Sequence, residues 1–165
     1  MPSTFTLTTV ERTDPIALAD VRGLLLQYFD WLGPIVATTT LAEEIVTLPD
    51  PYAPPGGSLI LARNELGTAV GCVGIREHAG KACEIKRLFV REDARGHGLG
   101  RALARAGMDQ ARAMGYSEMF LITLPDVMDH ALSMYRALGF TETTAFRDFS
   151  RVPDSVPMRF FRRRL

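Results

Sequence analysis

Apolar positions along the chain follow two periods, and the switches between them mark its elements. Phe5, Leu7 and Thr9 alternate with polar neighbours and predict a first strand over 4–9. Asp14-Pro15 predicts a helix start, since aspartate caps free N–H groups and proline is preset for the first turn. Leu18, Val21, Leu25, Tyr28 and Leu32 then recur at helical spacing up to Gly33-Pro34. Thr40-Leu41-Ala42-Glu43 has the form of a capping box and opens a short second helix with Ile45 and Leu48. From Pro49 to Gly57 the prolines remove backbone donors and the glycines punctuate, so a loop is expected.

Ser58 to Arg63 and Ala69 to Arg76 read as strands joined by a turn around Asn64 to Gly67. A third, Ala82 to Val90, follows a turn at His78 to Lys81, giving an antiparallel meander. That third strand has a fault in its parity. Ile85 and Arg87 share one face while Leu88 and Val90 share the other, and a β-bulge between them would reset the pattern. Leu99, Leu103, Ala106, Gln110 and Ala113 mark one face of a long helix, with Arg101, Arg105, Asp109 and Arg112 opposite and Gly115 at its end. Met119 to Leu124 is nearly all apolar, as expected of a strand covered on both faces. A helix from about Val127 to Leu138 stops at Gly139, and Phe140 opens a last strand pair. The order predicts a mixed α/β sheet with one right-handed βαβ crossover.

Composition narrows the class. A chain of 165 residues, 47% apolar and 23% charged, suits one globular domain spanning 1–165. Nineteen basic residues balance nineteen acidic ones, so no long-range field favours nucleic acid or an anionic membrane as partner. No apolar run approaches the roughly 18 residues of a membrane span, and Met1-Pro2-Ser3-Thr4 lacks the start of a secretory signal. Cys72 and Cys83 lie in apolar segments without metal-ligand spacing, so they read as buried thiols. A cytoplasmic, metal-free protein is expected.

The chemistry begins at Arg95-Gly96-His97-Gly98-Leu99-Gly100, between a strand and a helix. Glycines let the backbone approach a ligand, and the helix start offers unpaired N–H groups with about half a positive charge. Arg95 and Arg101 add charge-assisted hydrogen bonds, so the loop reads as a pyrophosphate cradle. The Walker pattern fails because no Gly-Lys-Ser/Thr follows, and the Rossmann pattern fails because the third glycine comes one residue early.

The Arg-x-x-Gly-x-Gly spacing resembles the acetyl-CoA loop of the GNAT N-acetyltransferase superfamily. Glu84-Ile85-Lys86-Arg87-Leu88-Phe89-Val90 resembles that family's fourth strand, and Tyr135-Arg136-Ala137-Leu138-Gly139-Phe140 its Tyr-x-x-Leu-Gly-Phe signature. The likeness covers nearly the whole chain. It implies a six- or seven-stranded, mostly antiparallel twisted sheet with a splayed parallel pair and about four flanking helices. It further implies acetyl-CoA as cosubstrate without a metal. Residues 95 to 101 (Arg95, Gly96, His97, Gly98, Leu99, Gly100, Arg101) would bind its pyrophosphate, and the main chain of Leu88, Phe89 and Val90 its pantetheine arm and thioester carbonyl. Met128 stands where many relatives carry a cofactor-contacting asparagine.

Two side chains are candidate catalysts under that resemblance. Glu84 would take the proton of the attacking amine, or it is the carboxylate of an ion pair with Lys86 or Lys81. Tyr135 would protonate the departing thiolate, or it is a core tyrosine. His97 and His130 read as a loop position and a surface residue. On the acceptor side Tyr28, Trp31 and Tyr52 would form walls, with core positions the alternative for Trp31 and Tyr52, and Asp30 could attract a cationic amine. The basic run Arg159 to Arg164 reads as a solvated strand end. The acceptor is then a primary amine of a small molecule or a peptide, with an acyl-CoA-sensing domain as the non-catalytic alternative; a homodimer is compatible with this fold.

Overall fold

The computed structural model describes residues 4–165, with side chains at all of them except Val36, Pro125, Asp126 and Val127. The N-terminal residues read above for a leader signal lie outside the described part up to Ser3. Strand β1 (Thr6–Thr9) leads to helix α1 (Pro15–Leu32), a 3-10 turn (Gly33–Thr38) and helix α2 (Leu41–Thr47). Strands β2 (Ser58–Arg63), β3 (Ala69–Ala79) and β4 (Ala82–Val90) form the meander. Helix α3 (Leu99–Ala113), strand β5 (Glu118–Thr123), helix α4 (Pro125–Ala137) and strands β6 (Thr141–Thr143) and β7 (Arg159–Arg164) complete the chain. The seven strands lie in the order β1-β2-β3-β4-β5-β7-β6, and β4–β5 is a parallel pair in an otherwise antiparallel sheet.

Each face of the sheet carries its own core. Helices α1 and α2 cover one face through Val21, Leu24, Leu25, Leu41 and Ile45 against Leu59, Leu61 and Phe89. Helices α3 and α4 cover the other through Leu103, Met108, Leu132 and Tyr135 against Ile75, Ile85 and Leu121. The α1 start behaves as its sequence predicts: the Asp14 carboxylate accepts from the Ala17 N–H at 2.9 Å, and Pro15 is the first helical residue.

Some local expectations need correction. Thr40 does not cap α2 through a box with Glu43; its hydroxyl donates to Glu44 at 2.6 Å. Glu44 is available there because it is turned inward toward Arg87, whereas Glu43 is exposed. Strand β3 continues to Ala79 instead of stopping at Arg76, and the His78 ring stacks edge-on against Phe120 and Phe146. Strand β5 alternates buried and half-buried positions, so its apolar run is not evenly covered on both faces. Helix α4 begins at Pro125, two residues early, and Met128 breaks its dihedrals at φ −126°, ψ 30°. Cys72 and Cys83 are buried thiols, each pushed up to about 12 by burial.

Candidate active site

The bulge that the parity fault predicts is present, and it organises the site. On β3 the register steps two residues, from Cys72 to Gly74, while on β4 it steps three, from Phe89 back to Lys86. The extra residue is accommodated at Arg87, which adopts φ 59°, a left-handed conformation that costs an L-residue on the order of 1 kcal/mol. That conformation turns the Arg87 side chain toward α2. Its Nε donates to Glu44 Oε2 at 2.7 Å and its Nη2 to Glu44 Oε1 at 2.9 Å, a two-pronged pair buried on both sides. Thr40 and Tyr52 hydroxyls also donate to this carboxylate. Burial alone would raise the Glu44 carboxyl, but the Arg87 guanidinium outweighs it and holds the group at about 2.

Ahead of the bulge β4 loses its pairing with β5. The parallel pairing with β5 covers Ala82, Cys83 and Glu84 opposite Glu118, Met119 and Phe120, and no further. A cavity of about 1020 Å³ opens in the gap. Its floor is β4 from Glu84 to Val90, and it runs on to the glycine loop.

The loop has the geometry of an anion cradle. Gly96 and Gly98 have φ 80° and 76°, and Gly98 is the residue that caps α3. Nothing lies within 4 Å of where a side chain would sit at either, so the backbone faces open space. The first intrahelical bond runs from the Ala102 N–H to the Gly98 carbonyl at 3.0 Å, and the N–H groups of the first turn precede it. Arg95 donates through Nε to the Val90 carbonyl at 3.0 Å, which ties the loop to the end of β4. Of the loop residues, Arg95, Gly96, Gly98, Leu99, Gly100 and Arg101 line the cavity. His97 stands apart, with its ring 6.5 Å from that of Phe5.

The candidate catalysts border the same space. Glu84 is 1% exposed and lies between two guanidinium groups, 3.3 Å from Arg76 Nε and 3.4 Å from Arg147 Nη2. Its partners are therefore arginines, not Lys86 or Lys81. Sequence reasoning missed Arg147, which reaches Glu84 across 63 positions from the segment between β6 and β7. Tyr135 lines the cavity from α4, its ring edge-on to Phe140, and burial raises its phenol above the ordinary value. Lys86 was also missed as a site residue. Its side chain is 10% exposed and lines the cavity, and burial, with Arg87 beside it, pushes its ammonium down to about 7.

The expected acceptor walls separate. Tyr28 and Trp31 stack at 5.9 Å and line the cavity, but the Trp31 ring lies 5.9 Å from the Arg95 guanidinium, beside the glycine loop. Tyr52 is 1% exposed and lies outside the cavity lining, packed where a Cβ on Gly74 would come within 2.7 Å of its ring. Asp30 is exposed and is not part of the lining. Among the described residues no group of three or more His, Cys, Asp or Glu is placed to hold a metal ion, and no helix is long and apolar enough to cross a membrane.

Comparison with known proteins gives a consistent result. Residues 21–140 match the Acetyltransferase (GNAT) family. An uncharacterized N-acetyltransferase of Schizosaccharomyces pombe is 33% identical over 159 residues, covering 96% of this chain and 95% of its own. The IAA acetyltransferase of Azospirillum brasilense is 33% identical over 153 residues, covering 91% and 95%. Among solved structures, a GNAT superfamily phosphinothricin acetyltransferase from Sinorhizobium meliloti, in complex with acetyl-CoA, superposes with a TM-score of 0.73 at 20% identity, covering 100% of this chain and 89% of that one.

Proposed function

The chain belongs to the GNAT acetyltransferase family and is an acyltransferase, and on that footing we propose that it moves an acetyl group from acetyl-CoA to a primary amine by direct attack within a ternary complex. One observation carries the reading. The unpaired stretch of β4, the bulge at Arg87 and the glycine-capped start of α3 border a single continuous cavity. Such a cavity suits a long ligand with an anionic end and an amide-bearing arm.

In this reading the α3 N-terminus, with Arg95 and Arg101, binds the pyrophosphate. Leu88, Phe89 and Val90 offer main-chain groups to the pantetheine amides, as a neighbouring strand would. The bound thioester supplies the activated acetyl group. A backbone N–H of the bulged segment directed at its oxygen stabilises the negative charge that develops there. An amine with a pKa near 10.4 must lose a proton before attack, a cost of about 4.6 kcal/mol at pH 7. Glu84 is the proposed acceptor of that proton, directly or through water. Tyr135 is the proposed donor to the departing thiolate, and its burial keeps the phenol protonated at neutral pH.

The test is CoA thiol release over a panel of simple amines, amino acids, aminoglycosides and peptides. Acceptor-dependent release is expected, with Tyr135→Phe lowering kcat while acetyl-CoA binding persists. Glu84→Gln should lower kcat by about 100-fold or more while acetyl-CoA binding persists; an unchanged kcat leaves Glu84 as an ion-pair member only. Tight acetyl-CoA binding with no release for any acceptor would assign the chain to ligand sensing instead.

A further inference from the structure

The end of the cavity away from the glycine loop has an excess of positive charge. Glu84 lies six residues before Val90 on β4, roughly 20 Å along the strand at about 3.3 Å per residue. Around it, on the face covered by α1 and α2, stand Arg76, Lys86, Arg87 and Arg147, with side chains 24%, 10%, 7% and 29% exposed. Among the described residues two carboxylates answer these four cations, Glu84 at 1% and Glu44 at 5%. Glu44 is taken up by its two-pronged bond to Arg87 and also faces Lys86 Nζ at 3.7 Å.

Arg76 and Arg147 share the remaining carboxylate, and neither is satisfied by it. Each guanidinium has five N–H donors, and each meets Glu84 through one nitrogen at 3.3 or 3.4 Å, well beyond the roughly 2.7–2.9 Å of a good charged pair. Arg76 Nε, Arg147 Nε and Glu84 Oε2 are buried without a hydrogen-bond partner in good geometry. Arg147 is nevertheless fixed in place. Its guanidinium lies 4.3 Å over the Phe149 ring, Phe149 packs on Phe160 at 5.1 Å, and Phe146 packs on Phe120 at 4.6 Å. The aromatic segment between β6 and β7 thus holds an underused cation against the cavity wall.

We propose that the acceptor carries a carboxylate beside its amino group, as a free amino acid does, and that Arg76 and Arg147 bind that carboxylate. The inference rests on the acetyl-transfer reading above and names its substrate class. A carboxylate between the two guanidiniums supplies the missing negative charge and the missing acceptors together. A polycationic acceptor finds the reverse: among the described residues the acidic side chains lining the cavity are Glu84, already paired, and Glu92, beside the glycine loop. Arg76 and Arg147 act by binding and orienting the acceptor, which brings its amine to the thioester.

The test compares acceptors matched in everything but the carboxylate. Thiol release with acetyl-CoA is measured for a series of amino acids, their carboxamides and the corresponding decarboxylated amines, with spermidine and an aminoglycoside alongside. The free acids should lead by roughly 10- to 100-fold in kcat/KM, the worth of one or two charged hydrogen bonds. Arg147→Gln should raise KM for the acid by at least about tenfold, leave KM for acetyl-CoA unchanged and erase the preference for acid over amide. Equal or better turnover of amides, polyamines or peptide N-termini overturns the proposal while leaving acetyl transfer intact. If no acceptor is turned over, the transfer reading fails, and the carboxylate site is judged by calorimetry of N-acetyl amino acids binding to the CoA complex. Binding lost in Arg147→Gln supports the site; no binding, or binding indifferent to that change, overturns it.

Discussion

Lys86 places an ammonium where the sheet gives it little water. Burial and the neighbouring Arg87 hold it at about 7, against an ordinary value near 10.4 in the unfolded chain. Between those values the unfolded state binds a proton that the folded state does not, so this residue makes stability rise with pH from about 7 toward 10. Below about 7 both states are protonated, and the folded state bears the full cost of a buried charge. Lys86→Met keeps the length of the side chain and removes that cost. The variant should melt higher than the native chain at pH 6, and the gap should narrow or close by pH 9; thermal denaturation across that range checks it, and a constant gap would show that Lys86 is not titrating. A lysine at a half-buried strand position gives no hint of this in one sequence. Its state depends on Glu44, Arg87, Arg76 and Glu84, which come from three elements.

The bulged strand was half legible. The odd-to-even jump in apolar positions from Ile85 to Leu88 locates the extra residue, and the register shift falls between Lys86 and Phe89. What fixes it was not legible, because Arg87 is anchored to Glu44, 43 positions away. The local pattern around Thr40 pointed to Glu43 instead, since a capping rule counts neighbours along the chain and not across the core. Tyr52 follows the same logic: its proline-rich surroundings read as a loop that left a pocket wall or a core position open, and its contacts with Gly74 and Glu44 decide for the core. The two glutamates can be told apart. Glu44→Gln leaves Arg87 buried without its counter-charge and should cost about 3–5 kcal/mol, the range for breaking a buried pair. Glu43→Gln should stay within about 0.5 kcal/mol, as for an ordinary surface change. Chemical denaturation measures both. Since the Glu44 carboxyl is depressed to about 2, the pair's contribution is complete above roughly pH 4.3 and is lost as pH falls toward 2. Acetyl-CoA affinity should weaken in Glu44→Gln if Arg87 shapes the strand that receives the arm.

At the scale of the whole molecule, the sheet is continuous in order but interrupted in pairing. The two cores, one under each pair of helices, lie on opposite faces of the sheet, and hydrogen bonding across the β4–β5 junction ends at Glu84 and Phe120. The rest of that junction is cavity. The element order and the glycine loop were readable because each follows from local periodicity and turn chemistry. The cationic end was not, because Arg76, Lys86 and Arg147 converge from β3, β4 and a segment without regular structure. A ligand that pairs with β4 in the gap would complete the missing ladder and join the two halves. Acetyl-CoA at about 100 times its Kd should add about 2.7 kcal/mol of stability, a Tm rise of roughly 5–10 °C for a domain this size. The location of that gain is the sharper test. Hydrogen exchange should slow at Leu88 to Val90 and at the start of α3, from Leu99 to Arg101, while Ser58 to Arg63 in β2 exchange as before. Protection confined to α3 would mean that the ligand is held by its phosphates alone, and that the open edge of β4 is not where its arm lies.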